Sequence, residues 1–164
     1  MMACDAFERI AATLDVPMVI VTTRAGHEMD GCLVGFATQC SIDPSRYLLC
    51  LSTNNRTYEL AQRASTLVVH MLHDDQHDRA LARLFGEHTA RDVEKLAHCK
   101  WEPGPDRVPV LGSCDWFGGP ILGRTDLGDH VGFTIDIQCG RAARTDEPYL
   151  TFGDVSDLTA GNPA

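Results

Sequence analysis

The amino-acid sequence predicts a mainly β protein, a closed or nearly closed antiparallel barrel with a few helices. Many short apolar segments are separated by clusters of turn residues, which is the spacing expected of barrel strands. The last of these segments, residues 131–139, alternates Val, Phe, Ile, Ile and Cys with small or polar residues. Such alternation is typical of a strand with one buried and one wetter face.

The beginning of the chain predicts a short helix followed by a strand hairpin. Residues 3–14 place apolar side chains at helical spacing and therefore predict an amphipathic helix. Residues 16–23 predict a strand, with Pro17 at its opening. Residues 25–31 predict a turn that leads into a second strand at residues 32–38.

Two further strands flank a short helix in the middle of the chain. Residues 47–52 and 66–72 are apolar runs of strand length, each bounded by polar turn residues. Asn55 is predicted to cap a short helix that ends at Ala61, because an Asn side chain accepts a hydrogen bond from an early helix N–H.

The second half of the chain begins with a predicted helix, capped by Asp74 and ended by Gly86. Residues 86–109 predict a long polar loop, interpreted as a functional lid or a dimer contact. Residues 108–117 and 121–125 predict two strands separated by a Gly-Gly-Pro turn. The residues of the helix predicted to face inward are Ala80, Leu81, Leu84 and Phe85.

Composition limits the function classes. A chain of 164 residues fits one domain, taken as residues 1–164. The formal net charge of −9, with 14 Lys and Arg that form no basic run, argues against nucleic-acid binding and against contact with acidic membrane surfaces. Seven cysteines without a CxxC pair, no signal-peptide pattern and no apolar run of membrane-spanning length predict a cytoplasmic protein.

Histidines and cysteines lack the patterns of metal or nucleophile sites. His70, His73 and His77 fall on a predicted strand, a connection and a helix, so they share no face and no metal site is predicted. Three cysteines lie on or beside apolar strands, which favours buried small side chains over nucleophiles: Cys32, Cys40 and Cys50.

Clusters of hydroxyl and amide residues flank the strand at residues 47–52. One cluster, residues 43–45, precedes the strand, and the other, residues 53–55, follows it. At the ends of extended structure, backbone N–H groups are available to bind an anion. The predicted helix start behind Asn55 adds further donors, and Arg56 adds a fixed positive charge. These residues together predict a phosphate site.

Three segments carry a resemblance to a known family: GFATQCS at residues 35–41, NRT at residues 55–57 and GDHV at residues 128–131. In this order they resemble the landmarks of the flavin reductase family, whose FMN-binding split barrels include the reductase partners of two-component monooxygenases. The resemblance spans residues 16–137. It implies a Greek-key antiparallel split barrel. A homodimer is predicted because a barrel this short, with a long irregular segment at residues 86–109, leaves apolar surface for a second copy to cover. The resemblance implies that the flavin lies near this interface.

The resemblance also implies a flavin site at the first two landmarks. Hydroxyl and backbone groups of the first landmark would contact the flavin, and the phosphate would meet Ser41, Arg56 and Thr57. The alternative is that these residues end a strand, cap a helix and carry a solvated charge. The cofactor-binding residues implied are Phe36, Ala37, Thr38, Gln39, Cys40, Ser41, Ser52, Asn55, Arg56 and Thr57.

His130, in the third landmark, is the catalytic residue that the resemblance implies. Hydride transfer from the nicotinamide C4 to the flavin N5 needs positioning more than acid–base catalysis. His130 would therefore orient the carboxamide or stabilise negative charge on the reduced ring. The alternative is a histidine that is hydrogen-bonded to neighbouring backbone at a strand entrance, with Asp129 as a turn residue.

The function implied is NAD(P)H:flavin oxidoreductase activity, in which NADH or NADPH reduces FMN or FAD for a partner flavin-dependent monooxygenase. The nicotinamide cofactor would bind transiently, because the sequence has no Gly-x-Gly-x-x-Gly fingerprint. Two other functions stay open. One is a split-barrel reductase that uses deazaflavin, and the other is a flavin- or haem-binding carrier or sensor without turnover.

Overall fold

A computed structural model describes residues 4–87 and 94–158. The helices are α1 (Asp5–Ala11), α2 (Arg56–Ala61) and α3 (Gln76–Glu87), with shorter 3-10 turns at Lys95–His98, Pro105–Arg107 and Gly153–Val155. The strands are β1 (Val19–Ala25), β2 (Glu28–Val34), β3 (Ala37–Ser41), β4 (Arg46–Ser52), β5 (Thr66–Met71), β6 (Trp101–Pro103), β7 (Pro109–Leu111), β8 (Asp115–Asp126), β9 (His130–Asp136) and β10 (Cys139–Arg141).

Strand pairing confirms the predicted antiparallel, mainly β architecture. One curled sheet has the order β2-β1-β5-β8-β9-β4-β3, with β10 added beside β8, and β6 pairs separately with β7. β5 joins β1 and β9 joins β4 across intervening strands, which are connections of the Greek-key type. β3 is the last strand of the order, so its outer edge has no strand partner among the described residues.

The concave face of the sheet holds the main core. Alternate residues of the strands point into it, as the alternation at residues 131–135 predicts. α2 closes this core with Ala61 and packs against β1 and β2. A second core lies beneath α3. The buried residues of the main core are Val19, Val21, Cys32, Val34, Leu49, Leu51, Ala61, Leu67, Val69, Val131, Phe133 and Ile135.

The predicted hairpin is confirmed, but its second strand begins and ends four residues earlier than predicted. β2 already begins at Glu28, because the turn needs only Gly26, at φ +61°, and His27. The predicted single strand at residues 32–38 was wrong. The chain bends at Gly35 and Phe36 and continues as a new strand, β3. β2 and β3 lie at opposite ends of the strand order. Phe36 therefore stands at a corner and is 64% exposed.

The predicted break at residues 118–120 was also wrong, because β8 runs through it without interruption. Gly118 and Gly119 pair with Val68 and Leu67 of β5, and the strand then passes to β9. A Cβ on Gly118 would lie 2.7 Å from the Leu67 carbonyl oxygen. The glycines therefore permit close backbone approach at a bend instead of forming a turn.

The helices differ from their predictions in detail. Asp75, not Asp74, caps α3, since its carboxylate accepts from the Asp78 N–H at 2.8 Å. α3 continues past Gly86, and Ala80 is exposed instead of facing inward. α1 forms as predicted but buries no residue, so its apolar face lies open.

The predicted loop at residues 86–109 is largely ordered where the structure describes it. Two 3-10 turns and β6 occupy residues 95–107, while part of the loop, residues 88–93, lies outside the described residues. Within the described ranges no helix is long and apolar enough to cross a membrane. All seven cysteines fall in the described ranges and are free thiols.

Candidate functional site

Parts of the first and third landmarks meet at the end of β4, just before the second landmark begins. Ser52 pairs directly with His130 in the β4–β9 register. The Cys50 N–H donates to the Phe36 carbonyl oxygen at 2.9 Å, and the Thr53 N–H donates to that of Asp129 at 3.0 Å. The corner before β3, the loop after β4 and the entrance to β9 therefore form one surface.

The aromatic ring of Phe36 contacts His130 on this surface. The ring centroids are 5.1 Å apart at an interplanar angle of 61°, an edge-on arrangement. On its other side, His130 Nδ1 lies 2.7 Å from an Asp129 carboxylate oxygen. A carboxylate only accepts hydrogen bonds, so Nδ1 carries a proton and Nε2 is left for a ligand.

α2 begins as predicted behind the end of β4. The Asn55 side chain accepts from the Thr57 N–H at 2.8 Å and so caps the helix. The Thr57 side chain is fully buried beside the Cys32 thiol. Burial raises the pKa of Cys32 to about 11, so the thiol stays protonated. The Thr57 hydroxyl therefore faces the core and not the landmark surface.

The structure does not bring Ser41 and Arg56 together. Ser41 pairs with Arg46 at the start of β4, whereas Arg56 follows the end of that strand. Seven strand residues span about 20 Å. Within one subunit the structure therefore places the two side chains predicted to share the phosphate at opposite ends of β4.

Polar side chains of β3 lie on the surface of the barrel. Thr38, Gln39 and Cys40 are exposed, so the prediction that Cys40 is buried was wrong. Cys32 is buried as predicted, while Cys50 is half-buried. Since β3 is an edge strand, backbone N–H and C=O groups of its outer edge can bind the polar edge of a planar ligand.

Arg56 lies beside two buried charged residues that the sequence analysis missed. Its Nε is 3.9 Å from an Asp30 carboxylate oxygen, and Lys95 Nζ is 3.9 Å from the other oxygen. Lys95 also donates to the Gly31 carbonyl oxygen at 2.7 Å. No local pattern marks either residue, because the cluster forms only when distant segments pack. The residues lining this cleft of about 290 Å³ are His27, Glu28, Met29, Asp30, Arg56, Glu94, Lys95 and Leu96.

The three histidines near α3 do not form one site. His70 is buried between two backbone groups, and His77 is exposed on α3. Among the described residues, Asp75, His77 and Asp78 place ligand atoms within 4.8 Å of one another. Arg144 pairs with Asp75 and, at 3.2 Å, with Asp78, so its guanidinium compensates part of their negative charge.

The curled antiparallel sheet with few helices places this chain in the class of split-barrel proteins. Comparison with known families agrees. The model of the flavin reductase like domain matches residues 11–157, so the chain belongs to this family. The resemblance identified from the sequence is thereby confirmed.

Similar proteins include a "Probable flavin reductase" from Rhizobium meliloti, 30% identical over 77% of this chain and 39% of that protein. The NADH:FAD oxidoreductase of Streptomyces globisporus C-1027 superposes with a TM-score of 0.78 at 19% identity, covering 93% of this chain and 92% of that one. Nitrilotriacetate monooxygenase component B from Mycobacterium thermoresistibile gives a TM-score of 0.76 at 17% identity, covering 97% and 91%. The chain spans 24% and 39% of the length of the two curated relatives it matches.

Proposed function

We propose that this protein catalyses the reduction of FMN, or of FAD, by NADH or NADPH. The observation that carries the proposal is the convergence of Phe36, Ser52 and the Asp129–His130 pair at the end of β4, in a chain of the flavin reductase family. Bound flavin would supply the acceptor of a hydride from the nicotinamide.

The residues at this surface fit the parts of a flavin. The exposed Phe36 ring offers an apolar contact for a planar ring system, and the outer edge of β3 offers hydrogen-bonding groups for its polar rim. Arg56 supplies positive charge beyond the end of β4, with a side chain that is 31% exposed. We assign the phosphate to Arg56 and not to Ser41, because the length of β4 separates the two.

His130 is the residue we assign to the nicotinamide. Asp129 holds Nδ1 and Phe36 packs against the ring, so the imidazole is fixed from two sides. Nε2 is then directed by these contacts and can bind a carboxamide or stabilise negative charge on a neighbouring ring. In this role His130 positions the reactants and abstracts no proton.

A homodimer and a partner oxygenase complete the proposal. Phe7, Ile10 and Leu14 are each more than 60% exposed on or beside α1, and Phe152 is 53% exposed. A second copy of the chain would cover such apolar surface. The likeness to nitrilotriacetate monooxygenase component B supports delivery of reduced flavin to a monooxygenase, and the free thiols favour a reducing compartment.

Anaerobic stopped-flow reduction of bound FMN tests the activity. We expect His130→Ala to keep nearly full FMN affinity while reduction by NADH or NADPH slows about 10- to 100-fold, because a misplaced hydride donor reacts slowly. Dithionite is the control that the flavin in the variant remains reducible. An unchanged rate would remove His130 from the site.

Reduction of bound FMN in the parent protein distinguishes the three candidate functions. If neither NADH nor NADPH reduces its bound FMN faster than free FMN, the carrier or the deazaflavin reductase takes the place of the flavin reductase. Light scattering of the flavin-bound protein tests the dimer. The expected mass is twice the 18.0 kDa of one chain, and a mass of one chain at micromolar concentration would contradict it.

A further inference from the structure

A larger cavity lies away from the landmark surface, between α3, the 3-10 turn at Lys95–His98 and the end of β7. Its volume is about 600 Å³, within the roughly 300–1,000 Å³ of pockets that hold small organic ligands. The cavity shares no residue with the segments assigned to flavin or nicotinamide. Its apolar wall consists of Ala80, Leu81, Leu84 and Leu111.

The cavity is also lined by polar side chains, among them the cation Lys100. His77, His98, Lys100 and Ser113 line the cavity, and no carboxylate is among its described lining residues. This is notable in a chain with a formal net charge of −9. Charge complementarity therefore favours an anion over a cation at this position.

Contacts beneath the cavity fix one of these groups. His77 Nδ1 lies 3.1 Å from an Asp78 carboxylate oxygen and 3.3 Å from the Ser113 hydroxyl, so the ring is held in place. Asp78 is fully buried and is paired with Arg144 at 3.2 Å. Arg144 also pairs with Asp75 and Glu147, so it compensates part of this negative charge, and the Asp78 carboxylate does not itself line the cavity.

We propose that this cavity binds a small organic anion with an apolar body, such as a medium-chain or aromatic carboxylate. The apolar part lies against the leucines of α3 and β7, and the carboxylate faces Lys100 and the histidines. The proposal is independent of flavin reduction, since it uses none of the residues assigned to that activity.

Binding of 8-anilinonaphthalene-1-sulfonate, an apolar anion that fluoresces when bound, tests the proposal. We expect octanoate to displace the dye and octylamine, of the same length but positive, to leave it bound. Ala80→Phe fills the cavity from an exposed helix position and is expected to weaken binding at least tenfold. Lys100→Ala is expected to weaken it about threefold, because a single exposed ion pair contributes modestly.

Arg83→Ala is the matched control, since it removes a positive charge from α3 outside the cavity lining. We expect it to bind the dye like the parent, and circular dichroism shows whether each variant is folded. Octanoate-induced shifts of the Gly112 and Ser113 amide resonances locate the site. Equal displacement by octylamine, unchanged binding in Ala80→Phe, or no shift at these amides would each overturn the proposal.

Discussion

The ring centroids of Phe36 and His130 lie 5.1 Å apart, and this contact joins the corner before β3 to the first residue of β9. Phe36 is 64% exposed, so Phe36→Ala should leave thermal stability nearly unchanged. Loss of the aromatic surface should weaken FMN binding about 3- to 10-fold in a fluorescence-quenching titration. Ile42→Ala, an 83% exposed position just beyond β3, is the matched control. Equal weakening in both variants would contradict the assigned role of Phe36.

Arg56→Ala should weaken FMN binding by one to two decades. Loss of a charge-assisted contact of this kind costs about 1.5–3 kcal/mol. Arg63→Ala, which removes an exposed cation paired with Glu28, should bind FMN like the parent. Superimposable titration curves for Arg56→Ala and the parent would place the phosphate elsewhere.

His70 should make the protein less stable in mild acid. Its Nδ1 donates to the Ile20 carbonyl oxygen at 3.0 Å and its Nε2 accepts from the Leu111 N–H at 3.0 Å, so protonation of the ring abolishes the second bond. Burial lowers the pKa of His70 to about 4, whereas the unfolded chain binds this proton below about 6.5. The free energy of unfolding should therefore fall by about 3 kcal/mol as the pH drops from 6.5 to 4.

Urea unfolding across this pH range measures the effect. Ordinary Asp and Glu carboxyl groups also titrate at the acid end of this range, so the histidine contribution is taken as the difference between the parent and a variant without His70. His70→Gln keeps a donor and an acceptor but does not titrate, and it should flatten the pH dependence. The same slope in variant and parent would show that another group is responsible.

Gly119→Ala should destabilise the fold severely. An added Cβ would lie 1.8 Å from the Asp136 carbonyl oxygen, where β8 bends between its two partners, so backbone must move. The expected loss exceeds about 3 kcal/mol in urea unfolding, or the variant fails to fold. Gly123 lies in the same strand with no atom within 4 Å of the added Cβ, so Gly123→Ala should unfold like the parent. Similar stabilities for the two variants would contradict this account.

Features set by neighbouring residues could be predicted from the sequence. Asn55 caps α2 and the residues of β9 alternate because both depend on a few adjacent side chains. The contact between Phe36 and His130 depends on the pairing of β4 with β9. The register of that pairing cannot be predicted from residues that are adjacent in the sequence. Ser41 and Arg56 were predicted to lie close together because both are near β4 in the sequence. In the structure they lie at opposite ends of that strand.

Long-range packing also explains the other differences. The Gly-Gly-Pro segment is a turn signal by composition, yet it lies inside β8 because the bend needs residues without a Cβ. The apolar face of α1 has the periodicity of a core helix, although nothing among the described residues covers it. Periodicity indicates which face is apolar and does not indicate what covers that face.

The pairing of β4 with β9 also sets a delay during synthesis. β4 is complete at Ser52, but its neighbour β9 ends only at Asp136. One edge of β4 therefore has no strand partner until the intervening chain has been synthesised. At about 5–20 residues per second this wait lasts roughly 4 to 17 s. Leu49 and Leu51, fully buried in the finished barrel, lack their pairing partners Phe133 and Val131 throughout that time. Unpaired strand edges and exposed apolar side chains favour aggregation, so we expect this chain to be prone to it while β9 is still being made.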